Sequence, residues 1–358
     1  MRVLFLIPSL SGGGAERQLK YLSEYLCKKE VELHVVYRTL GPDSEKSLIS
    51  GVKYHRMKER SNYSLVSFYE VVILLRRIKP DVVQSWIIQS DVIIGSIKPF
   101  MSFKWVAREA NVGSNHQGFL RKTVREFLLK NADIVVANSP LGMKHWADKT
   151  KARLVYNGIV HSETLDIGHC DVDHWCNKKT VLYVGRLTPH KNVDLLIESF
   201  KKSGLAERDT NLVICGDGIQ RSELESLVSD LDLNKNVVFT GFLHKPVIEQ
   251  LMKCSDLLCL LSLYEGMPNV VIEAMKASLP ILLSPSDSHT SIFNSDLVYF
   301  TKNFESHSVA CALKEKLMLC DHSHIISNSL KFSENFTVDT MGDKYFQMYE
   351  EILWTQDM

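Results

Sequence analysis

The stretch TVLYVGRLTPHKNVDLLIESFKKS, from Thr180 to Ser203, carries the pattern that decides the fold. It begins with a short apolar run, passes through a loop that contains glycine, arginine and lysine, and ends in a segment with apolar residues at helical spacing. A short, continuous apolar strand followed by such a helix is typical of a parallel sheet covered on both faces. The stretch therefore predicts one strand–helix unit of an α/β domain.

The same alternation of strands and helices runs along both halves of the 358-residue chain. It starts with RVLFLIP at the N-terminus, breaks in a polar stretch near residues 160–178, and then restarts. Because this length exceeds one ordinary core, we predict an α/β protein with two doubly wound, Rossmann-like domains, at residues 1–165 and 176–333. The apolar spacing of VDTMGDKYFQMYEEILW predicts a helix within 334–358. Ligands of such sheets bind at the carboxyl ends of the strands.

Composition excludes several classes of protein. Apolar residues make up 45% of the chain, and no apolar run approaches the ~20 residues of a membrane span. The N-terminal apolar run is short and leads into a glycine-rich turn, so we interpret it as a strand and not as a signal peptide. The eight cysteines are scattered, which suggests free thiols in a reducing, cytoplasmic compartment. The segment HCDVDHWC, residues 169–176, matches no zinc-ligand spacing and is interpreted as a polar loop.

Two glutamates in YEGMPNVVIEAM, residues 264–275, indicate a ligand site. Glu265 follows the apolar strand DLLCLLS, and Glu273 lies inside the next helix on the same face as Asn269. Pro268 suits the first turn of that helix, whose free amides favour a phosphate or a sugar hydroxyl. A carboxylate accepts hydrogen bonds from vicinal hydroxyls, so Glu273 is expected to bind a ribose. The alternative for Glu273 is a solvated charge on a helix surface.

Two cations follow the strand of the first stretch: Arg186, directly after Gly185, and then Lys191. Fixed cations at a strand end can hold a pyrophosphate and stabilise it as it departs. The Gly12–Gly14 run after the first strand also lets the backbone approach an anion. This run lacks the glycine spacing of dinucleotide-binding and P-loop motifs, which disfavours a nicotinamide-dependent dehydrogenase.

In combination, these motifs resemble the retaining glycosyltransferases of family 4, which have the two-domain GT-B fold. The family signature is a glutamate, seven residues and a second glutamate, here in EGMPNVVIEAM, and GRLTPHKN matches its diphosphate-binding arginine and lysine. NSP, YNGI, GDG and VVFTGFL follow the family order, so the resemblance covers nearly the whole chain. It implies an N-terminal acceptor domain and a C-terminal donor domain that face a cleft. It also implies that the C-terminal helix packs back on the N-terminal domain.

The resemblance also implies roles for single residues. Glu273 would hold the ribose of a nucleotide-sugar donor, which we expect to be UDP-linked, and Glu265 would contact the donor sugar. Arg186 and Lys191 would stabilise the departing diphosphate, so no metal and no other cofactor is expected. The other donor-binding positions would be Gly13, Gly14, Gly185, Leu243, Gly266, Met267, Pro268 and Asn269. Such enzymes retain anomeric configuration by front-face attack, with a donor phosphate oxygen assisting the acceptor proton.

The chain departs from the family pattern in two places. Related sequences often carry a histidine after the fourth strand, where this chain has VVQSWIIQSD; Gln89, and also Arg108, are possible donor-sugar or acceptor contacts. The glycines usual before Pro280 and after the next strand are replaced, by Ser278 and by the serine-rich segment 284–288, whose side chains are expected to crowd a ligand. Two alternatives stay open: a nucleotide-sugar epimerase or hydrolase of this fold, and a non-catalytic binder of sugar nucleotides.

Charge is distributed unevenly, although the net charge is zero. Residues 1–160 contain 25 Lys and Arg against 14 Asp and Glu, which favours an anionic partner. GFLRKTVREFLLK and IKPFMSFKW mix basic and apolar residues, as at the inner face of a plasma membrane; the alternative is an ordinary domain surface. The expected surface comprises Lys98, Phe100, Phe103, Lys104, Trp105, Leu120, Arg121, Lys122, Val124, Arg125, Phe127 and Leu128. A lipid-diphosphate-linked glycan acceptor, as in bacterial surface-glycan assembly, would fit; no nucleic-acid motif is present.

Overall fold

The fold is that of a computed structural model, which describes residues 1–10, 13–41, 48–58, 64–109, 119–160, 172, 175, 178–318 and 321–354, with the backbone alone at 119–122. The chain divides into two compact units, Met1–Gly158 with Phe336–Met358, and Ile159–Asn335. The bounds expected from the sequence, at 165 and 176, fall in a stretch of which only residues 172 and 175 are described. Most of HCDVDHWC likewise lies outside the described residues.

Strands and helices alternate along the described chain. The strands are β1 (Arg2–Leu6), β2 (Ser9–Leu10), β3 (Glu32–Tyr37), β4 (Thr39–Leu40), β5 (Lys53–Arg56), β6 (Val82–Ser85), β7 (Lys104–Glu109), β8 (Ile134–Ala137), β9 (Ala152–Leu154), β10 (Lys179–Val184), β11 (Thr210–Cys215), β12 (Val237–Gly241), β13 (Leu257–Leu260), β14 (Ile281–Leu283) and β15 (Tyr299–Phe300). The helices are α1 (Gly14–Lys28), α2 (Leu65–Ile78), α3 (Ile88–Ile97), α4 (Phe119–Leu129), α5 (Pro140–Ala147), α6 (Val193–Ser203), α7 (Arg221–Asp230), α8 (Lys245–Cys254), α9 (Asn269–Lys276), α10 (Asp287–Thr290), α11 (Ser306–Met318), α12 (Ser323–Ser333) and α13 (Val338–Trp354).

Each unit is built on a parallel sheet. In the first unit the described strands have the order β5-β3-β1-β6-β7-β8-β9, with β2 and β4 paired separately. In the second unit the order is β12-β11-β10-β13-β14-β15. Non-consecutive neighbours such as β10 and β13 require crossover connections, which the helices supply. The predicted α/β class with two doubly wound domains is therefore confirmed.

The first unit buries two apolar layers, one on each face of its sheet. Val3 and Phe5 of β1 pack in the layer that contains α1 and α13, whereas Leu4 and Leu6 belong to the layer with α2, α3 and α4. This alternation is the two-residue period of a strand covered on both faces. The predicted packing of the C-terminal helix on the first unit is confirmed, and Gly342 is the reason for the close approach. A Cβ atom there would lie 2.2 Å from the ring of Tyr25 on α1.

Helix α3 was not predicted from the sequence. Its apolar residues surround the helix, so they show no one-sided helical period. The reason is that α3 packs against the sheet and also against α4. At Gly95 a Cβ atom would lie 2.8 Å from both Trp105 and Leu128. A helix buried on several sides cannot be recognised by amphipathic spacing alone.

The surface expected around α4 needs correction. Phe103 and Trp105 are buried in the core, and Arg125 is buried as well. Arg125 donates through Nε to Asp91 and through Nη1 to Glu109, each at 2.6 Å, because a buried guanidinium needs ionised partners. The three side chains therefore do not contribute to a membrane-facing surface, and the side chains of Leu120, Arg121 and Lys122 lie outside the described residues.

Two further expectations concern compartment. Among the helices that the structure describes, none is both long enough and apolar enough to cross a membrane. Cys27, Cys215, Cys259 and Cys311 are free thiols. Cys254 is disulfide-bonded, so the expectation that the cysteines are free was wrong at this position.

Candidate functional site

The candidate site lies at the carboxyl ends of three neighbouring strands of the second unit, β10, β13 and β14. These strands are parallel and adjacent, so the loops that follow them emerge at the same edge of the sheet. The loop after β10 contains Gly185, Arg186 and Lys191, and the loop after β13 contains Glu265. The turn after β14 is the serine-rich segment 284–288. Residues separated by about a hundred positions thus meet at one edge.

An ion pair between Lys191 and Glu265 joins the first two loops. The side chains are 14% and 13% exposed, so water screens the pair only weakly. Ser262 donates a second hydrogen bond to the same oxygen, Glu265 Oε1, at 2.9 Å. Burial raises the pKa of Glu265, but the charge and hydrogen bond of Lys191 lower it more, so its pKa lies below the usual value. The carboxylate is therefore ionised, and its position is set from two strands.

Serine hydroxyls tie the turn after β14 to the Glu265 loop. The Glu265 N–H donates to Ser288 Oγ at 3.0 Å, and Ser288 Oγ lies 3.1 Å from Ser286 Oγ. Ser284 Oγ donates to the Ser262 carbonyl at 2.7 Å. All three serines of the turn are buried. These hydroxyls bond to the protein's own backbone and to one another, and the expected crowding of a ligand stays a prediction.

His289 is a buried member of this site that sequence analysis missed. Its Nδ1 lies 3.0 Å from the Ser284 carbonyl, which makes Nδ1 the protonated nitrogen. Nε2 is buried and has no hydrogen-bond partner in the described structure. Burial lowers the pKa of His289, although the nearby Glu265 carboxylate opposes this shift, so the imidazole is neutral near pH 7. No sequence motif contains His289. It reaches the site because it follows Ser284 by five positions and lies close to Glu265.

The β10 loop presents its cation to solvent. Arg186 is exposed and follows Gly185, whose N–H donates to the Cys215 carbonyl at 2.9 Å. The Tyr183 hydroxyl donates to the Arg186 carbonyl at 3.0 Å, which holds the backbone of the loop. Gly216 has a φ of +135° and packs against the Gly185 carbonyl so closely that a Cβ atom would lie 1.9 Å from its oxygen. The close packing of Gly216 on Gly185 therefore fixes the backbone of the loop that carries the exposed Arg186 side chain.

Helix α9 begins directly after the Glu265 loop. Gly266, Met267 and Pro268 are buried, and Pro268 caps the helix, with the Val271 N–H donating to its carbonyl at 3.0 Å. Asn269 is half-buried at the first helical position. This geometry places the positive end of the α9 dipole next to the Glu265 loop, where an anion or hydroxyl is favoured.

Glu273 lies one turn further along α9 and is half-buried. It lines a small hollow with Glu249, Lys253 and Lys276 and with the backbone at residues 159–160. Burial lowers the pKa of Lys276 and Lys245 adds to this effect, whereas the charge of Glu273 opposes it. Lys191 and Glu265 do not line this hollow, so the described structure brings the first glutamate of the signature to the cationic loop and the second to a different set of lysines.

The remaining donor position of the second unit lies on the edge strand. Leu243 follows β12 and is half-buried, and its neighbour Phe242 is exposed with its ring against His244. Gly241, at the end of β12, accepts a hydrogen bond from the Gly216 N–H at 2.9 Å. Because β11 separates β12 from β10, the Leu243 loop extends the same sheet edge by two strands.

Four predicted positions belong to the first unit. Gly13 caps α1 and Gly14 begins it; both are exposed, and Gly12 lies outside the described residues. Gln89 is half-buried in the first turn of α3. Arg108 is buried: it donates to Asn157 Oδ1 at 2.6 Å and stacks over Trp86 with 4.9 Å between the guanidinium carbon and the ring centroid. These partners favour a structural role for Arg108 in the core over a contact with substrate.

Acidic and metal-type side chains form no larger cluster in the described chain. No group of three or more His, Cys, Asp or Glu residues with the geometry of a metal site occurs there. Two acids of the segment HCDVDHWC, Asp171 and Asp173, lie outside the described residues. Metal independence stays a prediction.

Two family models match the chain. Residues 12–163 match the model described as Glycosyltransferase Family 4, and residues 174–324 match the model described as Glycosyl transferases group 1. Together they span most of the sequence, and each falls largely within one of the two units.

Individual proteins are similar over part or all of the chain. An uncharacterized glycosyltransferase of Methanocaldococcus jannaschii is 37% identical over 37% of this chain and 36% of its own length. The Campylobacter jejuni enzyme named GalNAc-alpha-(1->4)-GalNAc-alpha-(1->3)-diNAcBac-PP-undecaprenol alpha-1,4-N-acetyl-D-galactosaminyltransferase is 24% identical over 98% of this chain and 99% of that protein. The crystal structure of Anabaena HepE with UDP and glucose superposes with a TM-score of 0.82 at 20% identity, covering 98% of this chain and all of that one. At this identity the structural match shows the fold alone.

Proposed function

Because this chain belongs to the group 1 glycosyltransferases, we propose that it transfers a hexosyl or N-acetylhexosaminyl group from a UDP-linked sugar to a hydroxyl of a lipid-diphosphate-linked glycan. The reaction retains anomeric configuration and needs no metal. Its setting is the assembly of a bacterial surface polysaccharide or glycoconjugate, at the cytoplasmic face of the plasma membrane.

The observation that carries the proposal is the ion pair of Lys191 and Glu265 at the carboxyl ends of β10 and β13. An ionised carboxylate held from two strands is suited to accept hydrogen bonds from the hydroxyls of a donor sugar. The Lys191 ammonium, kept in the same position, is suited to neutralise the diphosphate that departs. Exposed Arg186 in the same loop supplies a second cation without competing for Glu265.

The proposed chemical step is the one that the family resemblance implies. The acceptor hydroxyl oxygen attacks the anomeric carbon on the face from which UDP departs, and the bond between that carbon and the β-phosphate oxygen breaks. The hydroxyl proton passes to a phosphate oxygen, so the products are the glycoside and UDP. Lys191 and Arg186 stabilise the charge that develops on the diphosphate, in the role that a metal ion plays in other enzymes.

The choice of donor and acceptor rests on the relatives. The name of the Campylobacter relative specifies an undecaprenol-diphosphate-linked glycan acceptor, and the HepE crystal structure contains UDP and glucose. The excess of basic residues in the first 160 positions supports an anionic membrane as the place where such an acceptor is met.

The test is a transfer assay with purified protein, a panel of UDP-sugars and a synthetic prenyl-diphosphate glycan, in the presence of a chelator. We expect a glycosylated acceptor. From a donor with an axial sugar–phosphate bond, NMR should show an axial linkage in the product. The rate of transfer should not fall when chelator is added. Release of free sugar without acceptor product would indicate a hydrolase, and binding without turnover would indicate a non-catalytic binder; both outcomes contradict the proposal. Lys191→Met should abolish turnover, whereas Lys235→Met, an exposed lysine, serves as the matched control.

A further inference from the structure

One helical layer of the first unit exposes an unusual set of large apolar side chains. Helices α2, α3 and α4 cover one face of the sheet, and α1 and α13 cover the other. On the first layer, Leu65 is 87% exposed and Tyr69 66%, and Phe100, directly after α3, is 84% exposed. The other exposed members are Val66, Ile73, Val124 and Phe127. We call these seven residues the apolar face of the first unit.

Helix α2 is apolar on both of its sides. Its buried residues, which include Val71 and Leu75, pack against the sheet. The outward stripe begins with Leu65, continues through Tyr69 and Ile73, and would carry charged residues in an ordinary surface helix. Apolar patches of this kind mark interaction sites, because soluble proteins rarely leave them open to water.

Basic side chains outnumber acidic ones at the surface of the described parts of α2 and α4. In the described parts of α2 and α4 and at their C-terminal ends, the exposed charged residues are all basic: Arg76, Arg77, Lys79 and Lys130. The two acids of these helices are half-buried: Glu70 accepts from the Lys58 N–H at 3.1 Å, and Glu126 pairs with Lys149 at 3.4 Å. The outward stripe of α2 is apolar and ends in two arginines. A complementary partner is therefore apolar inside and has anionic groups at its boundary.

We propose that the apolar face docks on the surface of an anionic lipid bilayer. Helix α2 lies parallel to the surface, with Leu65, Val66, Tyr69 and Ile73 among the upper acyl chains and Arg76 and Arg77 at the lipid phosphates. Docking would bring the enzyme to the membrane that carries the lipid-linked acceptor. In this respect the inference rests on the proposed function. Its residues differ from the surface expected from the sequence, of which only Phe100, Val124 and Phe127 belong to the face.

The test is sedimentation of the full-length chain with vesicles that contain phosphatidylglycerol and with vesicles of phosphatidylcholine alone. We expect binding to the anionic vesicles, lowered at least about tenfold by the double change Leu65→Ser and Tyr69→Ser, because each removes apolar area from the acyl region. Changing Arg76→Gln or Arg77→Gln should weaken binding about fivefold each at low ionic strength. Trp354→Ser is the matched control, since Trp354 is an exposed aromatic residue on α13, in the opposite layer, and should bind as the unaltered chain does.

Three results would overturn the proposal: no binding by the unaltered chain, equal binding by the Leu65 and Tyr69 variant, or a dimer in solution that this variant converts to a monomer. The last would show that a second copy covers the face. Circular dichroism confirms that the variants fold, which is expected because the changed side chains are exposed. The measurement needs neither donor nor acceptor, so a failure of membrane binding is distinguishable from a failure of sugar transfer.

Discussion

The main-chain N–H of Glu265 donates a hydrogen bond to the Ser288 hydroxyl, with 3.0 Å between nitrogen and oxygen. The bond crosses from the loop after β13 to the turn after β14, so a residue in the glycine-poor turn holds the backbone of the proposed sugar-binding carboxylate. Ser286, 3.1 Å from Ser288, extends this support. Ser288 and Ser286 therefore act as supports for the backbone of Glu265.

Replacing Ser288 with alanine should lower kcat/KM about three- to tenfold, because one buried hydrogen bond contributes about 1 kcal/mol and Glu265 would lose its fixed position. The loss should appear in kcat more than in the dissociation constant of UDP, which a general loss of structure would not produce. Ser288→Thr, which keeps the hydroxyl, should restore part of the rate. Ser226→Ala on exposed helix α7 is the control. Equal kinetics for Ser288→Ala and the unaltered enzyme would remove the positioning role.

Lys191 and Glu265 should be coupled in stability. Removal of either partner leaves a buried charge without its counterion, which costs about 3–5 kcal/mol. We expect Lys191→Met and Glu265→Gln each to lower the free energy of unfolding by an amount in this range, and the double variant to lose much less than the sum. Urea unfolding of the four proteins gives the coupling energy. Additive losses would mean that the two side chains are not paired in solution.

His289 should make stability depend on pH. Burial holds its folded-state pKa below the ordinary value of about 6.5, so the unfolded chain binds the proton more readily. The free energy of unfolding should therefore fall as the pH drops below about 6.5, and His289→Asn should remove that part of the slope. Glu265 and Lys191 are the charged groups that act on His289. The control is His324→Asn, an exposed histidine, which should keep the slope of the unaltered chain.

Ser278 occupies a backbone conformation that favours glycine. Its φ is +57°, directly after the C-terminal end of α9, where its N–H donates to the Met275 carbonyl at 3.0 Å. Ser278→Gly should raise the free energy of unfolding by about 0.5–1 kcal/mol, since relief of the left-handed strain exceeds the added entropy of the unfolded chain. Ser278→Ala keeps the strain and should give no gain. A lower urea midpoint for the glycine variant would contradict this account.

Glu273 is expected to bind the ribose of the donor. Glu273→Ala should weaken binding of UDP by roughly 1.5–3 kcal/mol, the contribution of hydrogen bonds to a charged group. Isothermal titration with UDP and with uridine compares the two proteins, and Glu223→Ala on the exposed side of α7 is the matched control. Unchanged UDP affinity would contradict the ribose-binding role of Glu273.

Local sequence patterns were sufficient for most elements of both sheets. Strands such as β10 and helices such as α13 are predicted from the spacing of their apolar residues, and this spacing depends only on near neighbours along the chain. Position after a buried strand also identified Arg186, Lys191 and Glu265 as candidates. Helix α3 was not predicted because it is buried on several sides. It has no polar face, so its apolar residues show no helical period.

The sequence by itself determined the class of fold, the strand ends at which ligands would bind, and the residue types available there. Only the tertiary structure decided which of them are partners: Lys191 and Glu265 are 74 positions apart, and their pairing follows from the adjacency of β10 and β13. It also decided that Arg125 is buried between Asp91 and Glu109 while Leu65 is exposed. The physical reason is that periodicity is a property of neighbours along the chain, whereas burial and charge pairing depend on strand order, which brings distant segments together.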